Sequence, residues 1–195
     1  MHANGPEQSV AIVGMGLATP LGSSLPQTWD ALLADRSITD HSRVPITFES
    51  NCGRANALAL RVAREAIAGA GWNDATLNDR STALVVGTSK GPVERWLTPL
   101  LHMDIPPYVT GGLHPIGLGE IAAGLAAELR LGGPRMTLSA ACASGLEAMI
   151  RGTMMIRGNE AQRVLVVAVA RVDSRSNFYL AHGISTCHFI KLLAA

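Results

Sequence analysis

The chain has 195 residues, 48% of them hydrophobic and 16% charged, with a mean hydropathy of +0.23, which supplies one sizeable core and excludes a disordered chain. Sixteen Lys and Arg against fifteen Asp and Glu leave a formal net charge of +1, so neither nucleic acid nor a membrane surface is expected as a partner. The three cysteines, Cys52, Cys142 and Cys187, are an odd number in a chain too long to need disulfide staples, which points to reduced thiols and a cytoplasmic setting.

Residues 1–9 contain no Lys or Arg, and no secretory signal is expected there. The longest apolar run, residues 164–170, falls far short of the roughly 20 residues of a spanning helix. Val10 to Gly14 is an apolar run without polar alternation, the pattern of a central strand covered on both faces. Gly53 to Gly71 predicts a helix with Leu60, Ala63, Ile67 and Ala70 on one side and Arg61 and Glu65 on the other. Ala83 to Gly87 reads as a second buried strand, and Pro115 to Leu131 as a second helix. Met136 to Leu138 is a weaker strand signal. It is followed by a helix over Ala143 to Gly158, with Leu146, Met149, Ile150 and Met154 apolar and Glu147 four residues before Arg151. Val164 to Val169 is the last strand expected, and residues 172–195 form a tail without a clear strand beyond a domain of residues 1–171. Strands alternating with helices argue for an α/β layered fold with a mostly parallel sheet flanked by helices.

Ser139 to Gly145 joins a candidate strand directly to a candidate helix and sets Cys142 at the turn. A thiol there feels the positive end of the helix dipole, and nearby backbone N–H groups can receive an oxyanion. The small side chains of Ala140, Ala141, Ala143 and Gly145 would let a thioester come close to the backbone. Taken alone, the same Ala-rich stretch is also consistent with a buried, inert cysteine. Other constellations carry less. Gly14 and Gly16 follow a strand, but Thr19 stands where a dinucleotide fingerprint needs its third glycine, and Lys90 lacks phosphate-loop spacing. His182, Cys187 and His188 match no zinc spacing, so no metal and no cofactor are expected. His41, His102 and His114 are scattered, and Trp29, Trp72 and Trp96 read as isolated packing anchors.

Ala141-Cys142-Ala143-Ser144-Gly145, with Gly133 to Ser139 before it, resembles the active-site region of the β-ketoacyl synthases, the thiolase-fold condensing enzymes of fatty-acid and polyketide synthesis. Val10 to Gly16, Thr19 to Gly22 and Thr28 to Leu33 resemble that family's N-terminal strand, turn and first helix, and Gly87-Thr88-Ser89 its loop after the second core strand. The resemblance runs from about Val10 to Ala170. It implies a thiolase-like fold, with Cys142 as the residue that takes an acyl group as a thioester from an acyl carrier protein or coenzyme A. It also implies a homodimer, or a heterodimer with a condensing enzyme, formed along Arg135 to Ser139.

The family is built from two similar halves, and the second contributes two histidines and a glycine-rich loop. Nothing in residues 143–195 matches them, and Ala181-His182-Gly183 lies too soon after the cysteine. Even the last, antiparallel strand of the first half has no clear counterpart. The expectation is therefore an N-terminal half only, apparently truncated, able to transfer an acyl group to Cys142 but not to form a carbon–carbon bond. The alternative is a catalytically incomplete homologue acting as an interaction subunit of a full-length condensing enzyme. A Cys142 hydrolase would need a base that the sequence does not offer.

Overall fold

The computed structural model describes residues 9–38, 44, 54–92 and 117–169, and the backbone of 188–194. Strands β1 (Ala11–Ala18), β2 (Thr82–Thr88), β3 (Arg135–Leu138), β4 (Arg163–Val169) and β5 (His188–Ala194) form one sheet in the order β1-β5-β4-β2-β3. β4, β2 and β3 are parallel, and β5 runs antiparallel to both β1 and β4. Helices α1 (Leu25–Leu33), α2 (Arg54–Ala70), α3 (Asp74–Asn78), α4 (Glu120–Glu128) and α5 (Ser144–Arg157) complete the described elements.

The alternation of side chains along β2 and β4 divides the core in two. Leu84, Val86, Leu165, Val167 and Val169 pack with Leu58, Val62 and Ala66 of α2 and Ile121 and Leu125 of α4. Ala83, Val85, Val164 and Val166 pack with Ala148, Met155 and Ile156 of α5. The result is a helix/sheet/helix sandwich with β2 and β4 buried at its centre. Gly132 and Gly133 bring the chain into β3, since a Cβ at either would strike the Asn78 or the Thr82 carbonyl. β3 can therefore lie beside β2.

The expected core strands over 83–87, 136–138 and 164–169 and the helices over 53–71 and 143–158 are present, each within a residue or so of its expected bounds. Of the helix expected from Pro115, residues 120–128 are helical. Several expectations are corrected. Residues 188–194 are a strand, although no strand was expected after Arg171, and it occupies the slot between β1 and β4. Among the described strands β1 lies at the edge, not at the centre, and it continues to Ala18. Its Gly14 and Gly16 lie against α2, where a Cβ would strike the Ala66 or the Val62 carbonyl, while Val13 and Met15 remain exposed on the other face. On α5 the apolar row faces outward: Leu146, Ile150 and Met154 are 58%, 44% and 55% exposed, and the buried positions are Ser144, Ala148, Gly152, Met155 and Ile156. Arg151 pairs with Glu160 at 2.6 Å instead of with Glu147. Trp72 packs against the α2 side of the core, whereas Trp29 is 58% exposed.

The polar side of α2 ties down the β1–α1 connection. Thr19 and Gly22 close a turn through paired backbone hydrogen bonds of 2.8 and 3.1 Å. Ser24 then caps α1 by accepting the Gln27 N–H. The Glu65 carboxylate accepts the Leu17 N–H at 3.0 Å and the Leu25 N–H at 2.8 Å, and the Arg61 Nε donates to the Ser23 carbonyl at 2.9 Å. Glu65→Ala should destabilise the fold by about 2–3 kcal/mol, because two part-buried N–H donors lose a charged acceptor. Urea denaturation checks this, and Arg61→Ala, whose bonds are exposed, should move the midpoint much less.

Candidate functional site

The site is the passage from β3 to α5. After Leu138 the chain runs through Ser139 and Ala140, makes a single turn of 3-10 helix over Ala141–Ala143, and enters α5 at Ser144. Ala141 has φ +48°, in the left-handed region that an L-residue with a Cβ enters only at a cost. Cys142 follows immediately, exposed at the N-terminal end of the 14-residue helix.

Three features seat the turn on the sheet. The Ser144 carbonyl rests against Gly87 at the end of β2, where a Cβ would collide with it. Gly145 faces Ala168 of β4, and a Cβ there would stand 3.0 Å from the Ala168 Cβ. Ser144 itself is 4% exposed, and its Oγ accepts the Ala140 N–H at 2.9 Å and donates to the Ala141 carbonyl at 2.6 Å. Beside this turn β2 ends at Thr88, whose buried hydroxyl accepts the Gly91 N–H at 3.0 Å. The Gly87-Thr88-Ser89 loop and the Cys142 turn therefore lie at the same end of the parallel strands.

The structure thus places Cys142 at the strand-to-helix elbow expected for it, and exposes it where an inert core cysteine would be buried. Ala141 and Ala143 are exposed beside the thiol, as an approaching thioester would need, whereas Gly145 serves helix–sheet packing. Lys90 is an exposed loop residue. Cys52, Cys187, His41, His102, His114, His182 and Trp96 lie outside the described residues, and of His188 only the backbone is described. Among the described residues no three His, Cys, Asp or Glu side chains gather as a metal site would require. No helix among them is long and apolar enough to cross a membrane. Ser144 is the functional candidate that sequence reasoning passed over. A hydroxyl at the first helical position after the turn, able to reach back to the backbone as capping residues do, was the available signal.

The profile of the family described as "Beta-ketoacyl synthase, N-terminal domain" matches residues 39–184. The chain is 28% identical to the "Tetracenomycin polyketide synthase ketoacyl synthase alpha subunit" of Streptomyces glaucescens over 196 residues, covering 82% of this chain and 45% of that protein. Among solved structures, "The ishigamide ketosynthase/chain length factor" superposes with a TM-score of 0.76 at 20% identity, over 96% of this chain and 62% of the other. The ketosynthase ApeO in complex with its chain length factor ApeC, from Xenorhabdus doucetiae, gives 0.74 at 18% identity, over all of this chain and 60% of that one. These structural likenesses identify the fold as thiolase-like. The chain spans about half the length of the curated relative and about three fifths of the solved chains. With residues 39–184, most of the chain, matching the family's N-terminal domain, on a thiolase-like sandwich whose β3–α5 elbow carries Cys142, the chain belongs to the β-ketoacyl synthase family.

Proposed function

We propose that this chain provides the acyl-accepting half of a ketosynthase-type condensing enzyme of polyketide or fatty-acid synthesis, with Cys142 as the nucleophile. The deprotonated Sγ attacks the carbonyl carbon of an acyl thioester, and a tetrahedral oxyanion forms. Its collapse breaks the donor's carbon–sulfur bond, leaving the acyl group on Cys142 while the carrier thiolate departs and takes up a proton. The donor is the thioester of an acyl carrier protein or of coenzyme A. The exposed position of Cys142 on a sharp turn at a helix N-terminus carries this reading. A nucleophile there is reachable, and the helix end favours negative charge where the oxyanion develops. The chain is to be incubated with the octanoyl thioester of N-acetylcysteamine and digested, and the adduct mapped by mass spectrometry. An octanoyl group on the Cys142 peptide is the expected result. Acylation confined to Cys52 or Cys187, or none, defeats the reading.

A second reading, an interaction subunit paired with a condensing enzyme, is favoured by two exposed features. β3 is an edge strand paired only with β2 among the described strands, which leaves its other backbone edge open. The outer face of α5 exposes Leu146, Ile150 and Met154, and β1 exposes Val13 and Met15. The ApeO ketosynthase is held in a complex with its chain length factor, and we extend a pairing of that kind, or one with a second copy, to this chain. Light scattering at high micromolar concentration should report a mass above that of the monomer. A clean monomer would remove this reading while leaving the Cys142 chemistry standing.

A further inference from the structure

We propose that Ser144 is a positioning residue that holds the Cys142 turn in the conformation needed for acyl transfer. This rests on the reading of Cys142 as acyl acceptor. The strained residue, Ala141, is clamped at both ends by one hydroxyl: Ser144 Oγ accepts the N–H of Ala140 at 2.9 Å and donates to the carbonyl of Ala141 at 2.6 Å. The Ser144 N–H also bonds to the Ala141 carbonyl, and the Ala143 N–H to that of Ala140. The peptide that leads into Cys142 is therefore held at its carbonyl by Ser144, and the peptide that leaves it is held by the Ala143 N–H bond to Ala140. The clamp is itself anchored, since Ser144 is buried and its carbonyl rests on Gly87 where no Cβ can stand.

The chemistry of the hydroxyl makes it a positioning group. Its single proton is given to Ala141 and a lone pair is taken by Ala140, so it is not poised to move a proton for the reacting atoms. Without the hydroxyl, the Ala140 N–H loses its acceptor and nothing from this side chain opposes the return of Ala141 to negative φ. That rotation turns the peptide leading into Cys142 and redirects the thiol. A thiol left exposed but misdirected still meets a small, freely tumbling electrophile. It fails with a thioester, whose carbonyl must be met along one line while the oxyanion enters the helix end.

The test compares two reagents on the Cys142 peptide of the full chain, iodoacetamide and the octanoyl thioester of N-acetylcysteamine, in Ser144→Ala, Ala141→Gly and the double variant. In Ser144→Ala, alkylation by iodoacetamide should stay within about threefold of the parent while octanoyl transfer falls by about 10- to 100-fold. Ala141→Gly should change little alone, and in the double variant it should recover at least about threefold of the lost transfer, because glycine holds a positive φ without strain. A rescue by glycine at 141 is a response that loss of packing at Ser144 would not give. Transfer at the parental rate in Ser144→Ala, or no recovery in the double variant, overturns the proposal. If circular dichroism shows Ser144→Ala unfolded, Ser144→Thr decides: it keeps the hydroxyl, so transfer near the parental rate supports the clamp and a loss of about tenfold or more in a folded chain overturns it. A parent chain that takes iodoacetamide but no octanoyl group fails the Cys142 reading itself and this proposal with it. Failure of the clamp alone shows as normal transfer in Ser144→Ala.

Discussion

Cys142→Ala abolishes octanoyl transfer to this chain, reducing the adduct on the 142 peptide to background, while the fold keeps its stability to within about 0.5 kcal/mol. The two halves of that expectation have separate causes. The chemistry is lost because alanine offers no atom that can form the thioester, and neither flanking residue, Ala141 or Ala143, offers one. The stability is kept because the thiol is exposed and fills no part of the core. Intact mass after incubation with the octanoyl thioester, read beside a urea melt of both chains, checks both halves at once. A variant that loses its adduct and its fold together would show that Cys142 supports the structure, contrary to its exposure. A variant that keeps an adduct of full stoichiometry would place the nucleophile elsewhere.

Gly87→Ala has the largest expected effect on stability, about 3 kcal/mol, because the added methyl is driven into the Ser144 carbonyl at a point where both sides are backbone. A flexible side chain could move aside. Here the two sides are the end of a buried strand and the first turn of α5, held by the β2–β4 ladder and by the Ala148, Met155 and Ile156 packing. Relief requires α5 to lift off the sheet, which opens the core on that side and shifts Cys142. For a domain of this size each kcal/mol moves the melting temperature by roughly 2–4 °C, so a fall of roughly 6–12 °C is expected in a thermal melt followed by circular dichroism. Octanoyl transfer should fall as well, even at temperatures where the variant stays folded. Gly145→Ala is the milder comparison, since its added methyl meets only the Ala168 side chain. An unchanged melting temperature for Gly87→Ala would mean that α5 does not seat on β2 in this way.

Two errors of the sequence reading show how local pattern and packing can diverge. The row Leu146, Ile150 and Met154 has helical spacing and large apolar side chains, the ordinary mark of a core face, yet it points outward. The inner face instead carries Ser144, Ala148 and Gly152 along its first turns, where Gly87 and Gly145 let α5 lie close on β2 and β4, and only farther along does it bury the larger Met155 and Ile156. Periodicity gives a helix its apolar stripe but not the distance at which it packs. Val10 to Gly14 likewise has the uniform apolarity of a central strand, whereas β1 is at the edge and its Val13 and Met15 are exposed. An apolar run says that burial is favourable without saying which neighbours exist to provide it.

The parallel strands β2 and β4, the helices α2 and α5 and the placing of Cys142 between a strand and a helix were determined by the sequence alone. Each depends on runs of adjacent residues whose preferences agree: β-branched apolar stretches, helical periodicity, and a small-residue turn between them. The motif around Cys142 is likewise local, so the family could be seen in it. The tertiary structure decided what depends on residues far apart in the chain. The slot of β5 between β1 and β4 pairs residues 11–18 with 188–194, a match that no window of neighbouring residues contains, and Lys191 breaks the apolar run that would have marked the strand. The same holds for the clamp at the site. Ser144 looks like any serine at a helix start until the fold sets its carbonyl over Gly87 and Ala141 stands at positive φ, where one hydroxyl, reaching three and four residues back, bonds to both sides of that strained residue.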